Sequence, residues 1–320
     1  MQKTLTNNTA LITGVAGFIG SELAKSLLKN NYEVVGIDNF LLGSKENVEE
    51  IQKLNGDFSF INYDLSNYEN LENIHKQLKK FSDIKCIWHL AANSDISGSV
   101  NALKIDLENT FFTTLSSGLI SEEFQVREMV FSSSSAALGT VNKKIKENHG
   151  PLLPESYYGA MKAASEAYIS TLKTYILDKY TIFRFPNVIG HNTTHGIVFD
   201  FKKKLSGKPK YLDVLGDGNQ KKPYLHIDDL INGMHCLKET DHENRIFNLS
   251  PLDDGIKVKD IAEIAIKHMS PDTKARYENH PQGWPGDIVK YEYDLEKMMS
   301  TEWSPKFSSR EAIVKCFEKA

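Results

Sequence analysis

The order of apolar runs and helical stretches predicts an α/β fold: a doubly wound parallel sheet accompanied by a smaller, partly interleaved α/β domain. Three observations lead there. Short runs rich in β-branched and aromatic residues alternate with amphipathic stretches, which is the pattern of βαβ units whose helices cover both faces of a parallel sheet. A glycine-spaced turn joins the first run to the first helical stretch. After residue 185 the rhythm changes, and Gly and Pro become frequent (Pro186, Gly190, Gly196, Gly207, Pro209, Gly216, Gly218, Pro223).

Taken in order, the strand candidates are residues 10–13, 33–37, 58–63, 86–90, 129–133 and 181–185. Helical patterns fall at 21–29, 71–79, 102–120 and 158–178. Right-handed crossovers between such strands build a doubly wound sheet, with ligands at the carboxyl ends of the strands. Residues 245–249 read as one more strand of that sheet. The expected division is therefore 1–185 for the sheet domain and 186–320 mainly for the second, with 245–249 returning to the first.

Composition narrows the function classes. Of 320 residues, 40% are hydrophobic and 25% charged, enough for a sizeable core. The net charge of −4 comes without long basic or acidic blocks, so neither nucleic acid nor a membrane surface is an expected partner. Lys202-Lys203-Lys204 reads as a solvated helix face. Cys86, Cys236 and Cys316 are odd in number and far apart, which argues against a disulfide framework and a zinc site and fits a reducing cytosol. The polar N-terminus lacks the apolar core of a signal peptide, and no stretch is apolar for long enough to span a bilayer. A cytoplasmic protein without a metal is expected.

The first turn carries the first chemical signal. Leu11-Ile12-Thr13-Gly14-Val15-Ala16-Gly17-Phe18-Ile19-Gly20 follows a strand and opens a helix. Gly14 permits a tight turn, Gly17 lets backbone approach a pyrophosphate, and Gly20 lets helix pack on strand. The helix N-terminus, with Phe18 and Ile19 in its first turn, offers N–H groups and partial positive charge to phosphates. Asp38 closes the second strand 18 residues after Gly20. A carboxylate there accepts hydrogen bonds from an adenine ribose and repels a 2′-phosphate. No arginine follows at once, so NAD is favoured over NADP.

A second signal lies further along. Tyr158 and Lys162 are four positions apart on a helical pattern, which puts both side chains on one face. A lysine ammonium near a phenol stabilises the phenolate and makes it a proton acceptor for a sugar hydroxyl. Val130-Phe131-Ser132-Ser133-Ser134-Ser135 ends a hydrophobic strand, and a hydroxyl at that strand end can bond the same substrate oxygen. The glycine turn, the serine run and the Tyr–Lys pair together specify one site. His89 and His226, in apolar strands, read as packed histidines. Phe199-Asp200-Phe201 reads as core, and Trp284 and Trp303 as packing residues of the second domain.

With these motifs in place the chain resembles the extended short-chain dehydrogenases, specifically the nucleotide-sugar epimerase/dehydratase family and its UDP-glucose 4-epimerase-like branch. The resemblance implies a Rossmann-type sheet and a bound NAD that is not consumed. It assigns Thr13 to Gly20 to the cofactor loop, Asp38-Asn39 to the ribose, Asp64-Leu65 to the adenine, and His89-Leu90-Ala91-Ala92 to the segment beside the nicotinamide ribose. Asn109 matches the family's central-helix asparagine, and Ser132 and Phe185 join the cofactor-binding set. Ser134, Tyr158 and Lys162 correspond to the catalytic serine or threonine, tyrosine and lysine. Asn187, in Arg184-Phe185-Pro186-Asn187, resembles the asparagine that holds the sugar diphosphate. Leu215-Gly216-Asp217-Gly218 and the run from Tyr224 to Asp229 resemble the substrate-domain signature, and Gly286-Asp287 its late Gly-Asp. The run from Thr194 to Phe201 looks like short epimerases of archaea and bacteria.

Four departures carry meaning. Leu138 replaces the usual tyrosine before Gly139. Ser135 and Ala136 stand where 4,6-dehydratases place Asp-Glu, which argues against dehydration. Pro223 replaces an aspartate before Tyr224, with Lys222 where arginine is common. The arginine before the late Gly-Asp is absent, which makes Lys222 the candidate to take over its grip on the diphosphate. The resemblance thus implies C4 epimerisation of a UDP-sugar (the glucose/galactose or the N-acetylhexosamine pair) through a 4-keto intermediate. Tyr158 would take the proton, Ser134 would hold the oxygen, and Lys162 would orient the ribose. A 4-dehydrogenase or reductase making one net hydride transfer, and a non-catalytic NAD(H)-binding module, stay open as alternatives. The resemblance also implies a homodimer paired through the helices at 102–120 and 158–178.

Overall fold

Alternation in the sequence becomes alternation in space. The computed structural model describes residues 8–81, 83–96, 102–243, 245–280, 288 and 291–318. In chain order the first elements are β1 (Thr9–Thr13), α1 (Phe18–Lys29), β2 (Glu33–Asp38), α2 (Lys45–Gln52), β3 (Phe58–Asn62), α3 (Glu72–Leu78), β4 (Ile84–His89) and α4 (Leu103–Asp106). A π-helical turn (Leu107–Phe112) leads into α5 (Thr113–Glu123), β5 (Glu128–Ser134), α6 (Tyr157–Tyr175) and β6 (Lys179–Phe185). The seven-stranded sheet runs β3-β2-β1-β4-β5-β6, with the strand Ile246–Asn248 at its outer edge. Pairings of β1 with β2 and β4, of β2 with β3, and of β4 with β5 are parallel. This is the doubly wound parallel fold the alternation predicts.

The strands are buried because both faces are covered. Every residue of β1 is buried, so the run reads as continuously apolar rather than alternating. On α1 the buried set includes Leu23, Ala24, Leu27 and Leu28, a stripe at helical spacing that seats the helix on the sheet.

One expected element differs. Residues 102–120 read as a single helix, yet the chain forms α4, a π turn and α5. Apolar periodicity cannot distinguish i→i+4 from i→i+5 bonding. The π turn is supported by side chains: Asn93 Nδ2 donates to Asp106 Oδ1 at 2.8 Å, Asn93 N to Thr110 Oγ1 at 3.2 Å, and Thr113 Oγ1 to the Ala91 carbonyl at 3.0 Å.

The chain clusters into two compact units: Met1–Ser133 with Met161–Ile182, and Ser134–Ala160 with Phe183–Ala320. The second unit contains β7 (Asn187–Ile189), α7 (Ile197–Leu205), β8 (Tyr211–Val214), β9 (Lys221–Lys222), β10 (Tyr224–His226), α8 (Ile227–Lys238), β11 (Ile246–Asn248), β12 (Ile256–Lys257), α9 (Val258–Met269), β13 (Lys274–Tyr277), α10 (Glu296–Met299) and α11 (Ser309–Glu318). Three two-stranded ladders (β7–β10, β9–β12, β8–β13) frame it. A core built on Val198, Phe201, Leu212, Ile261 and Phe317 fills it.

Of the two α7 aromatics, Phe201 is core, whereas Phe199 is 41% exposed. Residues two apart on a helix point to different sides, so both cannot be buried. Trp303 is buried on Gly233, its Nε1 donating to Asn232 Oδ1 at 2.7 Å. Trp284 lies outside the described residues. No helix among the described residues is long and apolar enough to cross a membrane.

Candidate functional site

In the first unit the predicted cofactor residues gather at the carboxyl ends of β1 to β5. Gly14 follows β1 with φ +76°, and a Cβ there would stand 2.7 Å from the Ala91 nitrogen. A Cβ on Gly20 would stand 2.1 Å from the Gly14 carbonyl oxygen, and one on Gly17 would stand 3.2 Å from the same atom. Only glycine permits this cradle at 14 and 20. Gly17 caps α1, whose N-terminus has no side-chain cap and no acidic residue in its first turn. Such an end presents N–H donors and partial positive charge to an anion. The glycine cradle and the uncapped helix end fit a dinucleotide pyrophosphate.

Asp38 ties this loop to β2. Its Oδ2 accepts from Ala16 N at 3.0 Å and its Oδ1 from Phe40 N at 2.7 Å. Burial raises its carboxyl above the usual range, and these backbone donors oppose that rise. Next to it, Asn39 Oδ1 accepts from Leu41 N at 2.9 Å. Beyond β3, Asp64 Oδ1 accepts from Ser66 N, and buried Leu65 receives Ser116 Oγ on its carbonyl at 2.6 Å.

After β4, Leu90 N donates to the Thr13 carbonyl at 3.1 Å and Ala91 N to Thr13 Oγ1 at 3.3 Å. The segment Leu90-Ala91-Ala92 therefore lies along the end of β1. His89, fully buried, is in contact with Thr13 Oγ1 at 2.7 Å, Thr114 Oγ1 at 2.9 Å and Ser117 Oγ at 3.2 Å. Burial pushes its imidazole down to about 3, and the Lys162 charge adds to that. It is a neutral, satisfied core histidine. Asn109, in the π turn, donates Nδ2 to the Ile105 carbonyl at 3.1 Å.

At the end of β5, Ser132 Oγ donates to the His89 carbonyl at 3.4 Å, and its own carbonyl accepts from Lys162 Nζ at 2.6 Å. Lys162 is 2% exposed, with its ammonium 4.6 Å from the centre of the Phe131 ring. Burial pushes its amine down to about 7, opposed by the charge of Glu166. That carboxylate, buried on α6, accepts from Ser133 Oγ at 2.5 Å. The sequence reading passed over Glu166 and Ser133. The available signal was a carboxylate one helical turn after Lys162.

In the second unit, Ser134 Oγ accepts from Ala136 N at 3.1 Å, fixing the short turn after β5. The start of α6 presses on that turn: a Cβ on Gly159 would stand 2.2 Å from the Ala136 carbonyl oxygen. Gly159 N also donates to Ser156 Oγ at 3.1 Å. Gly159 thus lets the segment carrying Ser134 and the helix turn carrying buried Tyr158 approach closely. Sequence reading missed this glycine, although it stands beside Tyr158. Lys162 follows Tyr158 by one helical turn.

Leu138 is buried, and Gly139 (φ +70°) lies under the Leu153 carbonyl, 1.9 Å from where a Cβ would be. Phe185 is buried at the end of β6. Asn187 is exposed on β7 opposite Tyr224 of β10. Lys222 is buried on β9, paired with Ile256 of β12. His226 is buried, its ring 5.0 Å from that of Phe307. Asp287, with Gly286, lies outside the described residues.

Residues 10–250 match the model of the NAD dependent epimerase/dehydratase family. The chain belongs to that family. NAD is the family's cofactor, in keeping with the glycine cradle and Asp38. Among similar proteins, a UDP-glucose 4-epimerase of Mycolicibacterium smegmatis is 30% identical over 229 residues, 69% of this chain and 70% of that one. A UDP-glucuronate 4-epimerase of Thermodesulfobacterium geofontis is 27% identical over 312 residues, 95% of this chain and 93% of that one. Among solved structures, UDP-glucose 4-epimerase of Thermus thermophilus in complex with NAD has a TM-score of 0.83 at 25% identity, covering 97% of this chain and 98% of that one.

Proposed function

We propose that this family member is an NAD-dependent 4-epimerase of a nucleotide-diphosphate sugar, a UDP-sugar of the glucose/galactose or N-acetylhexosamine pairs. The observation that carries the reading is the close packing at Gly159, which brings the turn of Ser134 against the first turn of α6, where Tyr158 stands. The relatives named for 4-epimerisation support it. When bound, NAD supplies a hydride acceptor that later returns the hydride.

The chain's own residues do the rest. Tyr158 removes the proton from the sugar 4-hydroxyl. Ser134 donates to the same oxygen as it gains carbonyl character, and a donor placed where charge develops contributes several kcal/mol. Lys162 supplies positive charge that favours the Tyr158 phenolate. Asn187 and Lys222 are the proposed holders of the diphosphate, and Asp287 is proposed as a further substrate-binding residue. With no Asp-Glu after Ser134, the keto sugar undergoes no elimination.

Epimerisation leaves no net reduced cofactor, so a UDP- and GDP-sugar panel followed by NMR tests the reading. UDP-glucuronate belongs in that panel because of its relative. The expected product differs from the substrate only at C4, and the Tyr158→Phe variant loses turnover by orders of magnitude while still binding NAD. Near wild-type epimerisation by that variant overturns the assignment, and stoichiometric NADH with an oxidised sugar indicates a dehydrogenase. A cytoplasmic homodimer is part of the proposal. Exposed Leu103, Ile105 and Tyr175 lie on or near the paired helices, and a monomer by light scattering refutes it.

A further inference from the structure

We propose that Glu166 is a positioning residue whose buried carboxylate anchors α6 to β5 through Ser133 and keeps the neighbouring Lys162 charged. The catalytic consequence rests on the function proposed above, but the electrostatic claim does not. Its basis is how the end of β5 uses successive side chains. Phe131 and Ser133, two apart on the strand, both meet α6: the Phe131 ring lies under the Lys162 ammonium, and the Ser133 hydroxyl bonds Glu166. Ser132, between them, turns its hydroxyl to the His89 carbonyl while its own carbonyl takes the Lys162 ammonium. Lys162 and Glu166 are one helical turn apart, both almost completely buried.

A buried ammonium needs a counter-charge, or it gives up its proton. The Ser132 carbonyl and the Phe131 ring offer only partial charges. Among the described residues, the titratable groups that act on Lys162 include His89 from β4 and Glu166 from its own helix. His89 is neutral at working pH, so it supplies no negative charge. Glu166 acts against the burial of Lys162. Tyr158, one turn before Lys162, is the group that the charge would serve. Glu166 touches neither substrate nor cofactor in this scheme and acts only through Lys162.

The test uses the full-length protein labelled with ¹³Cε-lysine, with the Lys162 resonance identified by its loss in Lys162→Arg. Glu166→Gln keeps an oxygen to accept from Ser133 but removes the charge. Its Lys162 midpoint should fall by about one pH unit, the low end for loss of an adjacent opposite charge. Ser133→Ala removes the anchor but keeps the charge, and its midpoint should stay close to that of the unaltered protein. Coincident titrations of Glu166→Gln and the unaltered protein overturn the proposal, as does an equal fall in Ser133→Ala. Should Glu166→Gln fail to fold, Glu166→Asp takes its place: it keeps the charge, and a fallen midpoint there refutes the claim. In the activity arm, the alkaline limb of kcat/KM in Glu166→Gln should move to lower pH by the same amount. A moved NMR midpoint beside an unmoved pH profile leaves the electrostatics standing and faults the role given to Lys162.

Discussion

Alanine is a better helix former than glycine, so by local propensity alone Gly20→Ala inside α1 would stabilise by about 0.5–1 kcal/mol. The packing reverses that sign. A Cβ at position 20 would stand 2.1 Å from the Gly14 carbonyl oxygen and 2.9 Å from both the Gly14 carbonyl carbon and Val15 Cα. All three are backbone atoms, so no rotamer change relieves the overlap. Helix and loop must part until the closest pair reaches ordinary contact, which begins at 3.4 Å. Overpacking costs about 1–3 kcal/mol, and overlap with three backbone atoms puts it at about 2–3 kcal/mol; against a propensity gain of up to about 1 kcal/mol, the net loss is about 1–2 kcal/mol. That corresponds to a Tm lower by roughly 2–8 °C.

Separating the helix end from the loop also misaligns the pyrophosphate donors. The Kd for NAD should rise at least about tenfold, equivalent to about 1.4 kcal/mol. Gly17→Ala separates the two effects. Position 17 has φ −74° and ψ 171°, which any residue adopts, and its Cβ would meet the Gly14 oxygen at 3.2 Å, so that oxygen need give by only a few tenths of an ångström, far less than at position 20. Its Tm without ligand should stay within a degree or two, roughly the scale of 0.5 kcal/mol, while its methyl obstructs the approach to the helix end and NAD affinity falls. Thermal melts of the ligand-free proteins and calorimetric titration with NAD read both quantities. A Gly20→Ala protein that melts with the wild type, or a Gly17→Ala protein that binds NAD equally well, refutes the reasoning.

The other expectations concern groups held by burial. Asp38→Asn leaves one acceptor oxygen where two carboxylate oxygens hold Ala16 and Phe40. NAD affinity should fall about tenfold, worth about 1.4 kcal/mol, and the preference over NADP should narrow; an unchanged preference by titration with both dinucleotides would count against the ribose role. His89 has its imidazole depressed to about 3 from an ordinary 6.5. The unfolded chain therefore binds the extra proton, and the resulting stability is full above pH 6.5 and lost as pH falls toward 3. The slope approaches about 1.4 kcal/mol per pH unit. Urea unfolding from pH 7 to pH 4 should show a shallower slope for His89→Gln, and equal slopes would dismiss the attribution.

What the sequence disclosed depended on how local the governing physics was. β1, β2 and β4 were visible because buried parallel strands carry short unbroken apolar cores, and α1 because its apolar stripe repeats at helical spacing. Gly14 was legible because a strand–glycine–helix junction has few conformations. The π turn was not, since its support comes from Asn93 and Ala91, on another segment. Gly159 and Glu166 escaped for a similar reason. The value of each depends on an atom distant in the chain, the Ala136 carbonyl for one and the Ser133 hydroxyl for the other. Phe199 and Phe201 were read together because they are neighbours in sequence, whereas the helix turns them to different sides.

The course of the chain between its two units has a consequence for how the molecule is made. It passes from one to the other after residue 133, back after 160 and over again after 182. No single cut yields two self-sufficient pieces. During synthesis from the N-terminus, the first unit stays incomplete until residue 182 has left the ribosome, because helix α6 from Met161 onward and the beginning of β6 belong to it. By then residues 134–160 have already emerged as a tethered insert awaiting the partners that follow residue 183. Folding is therefore a late event, with nearly three-fifths of the polypeptide exposed before either half can close.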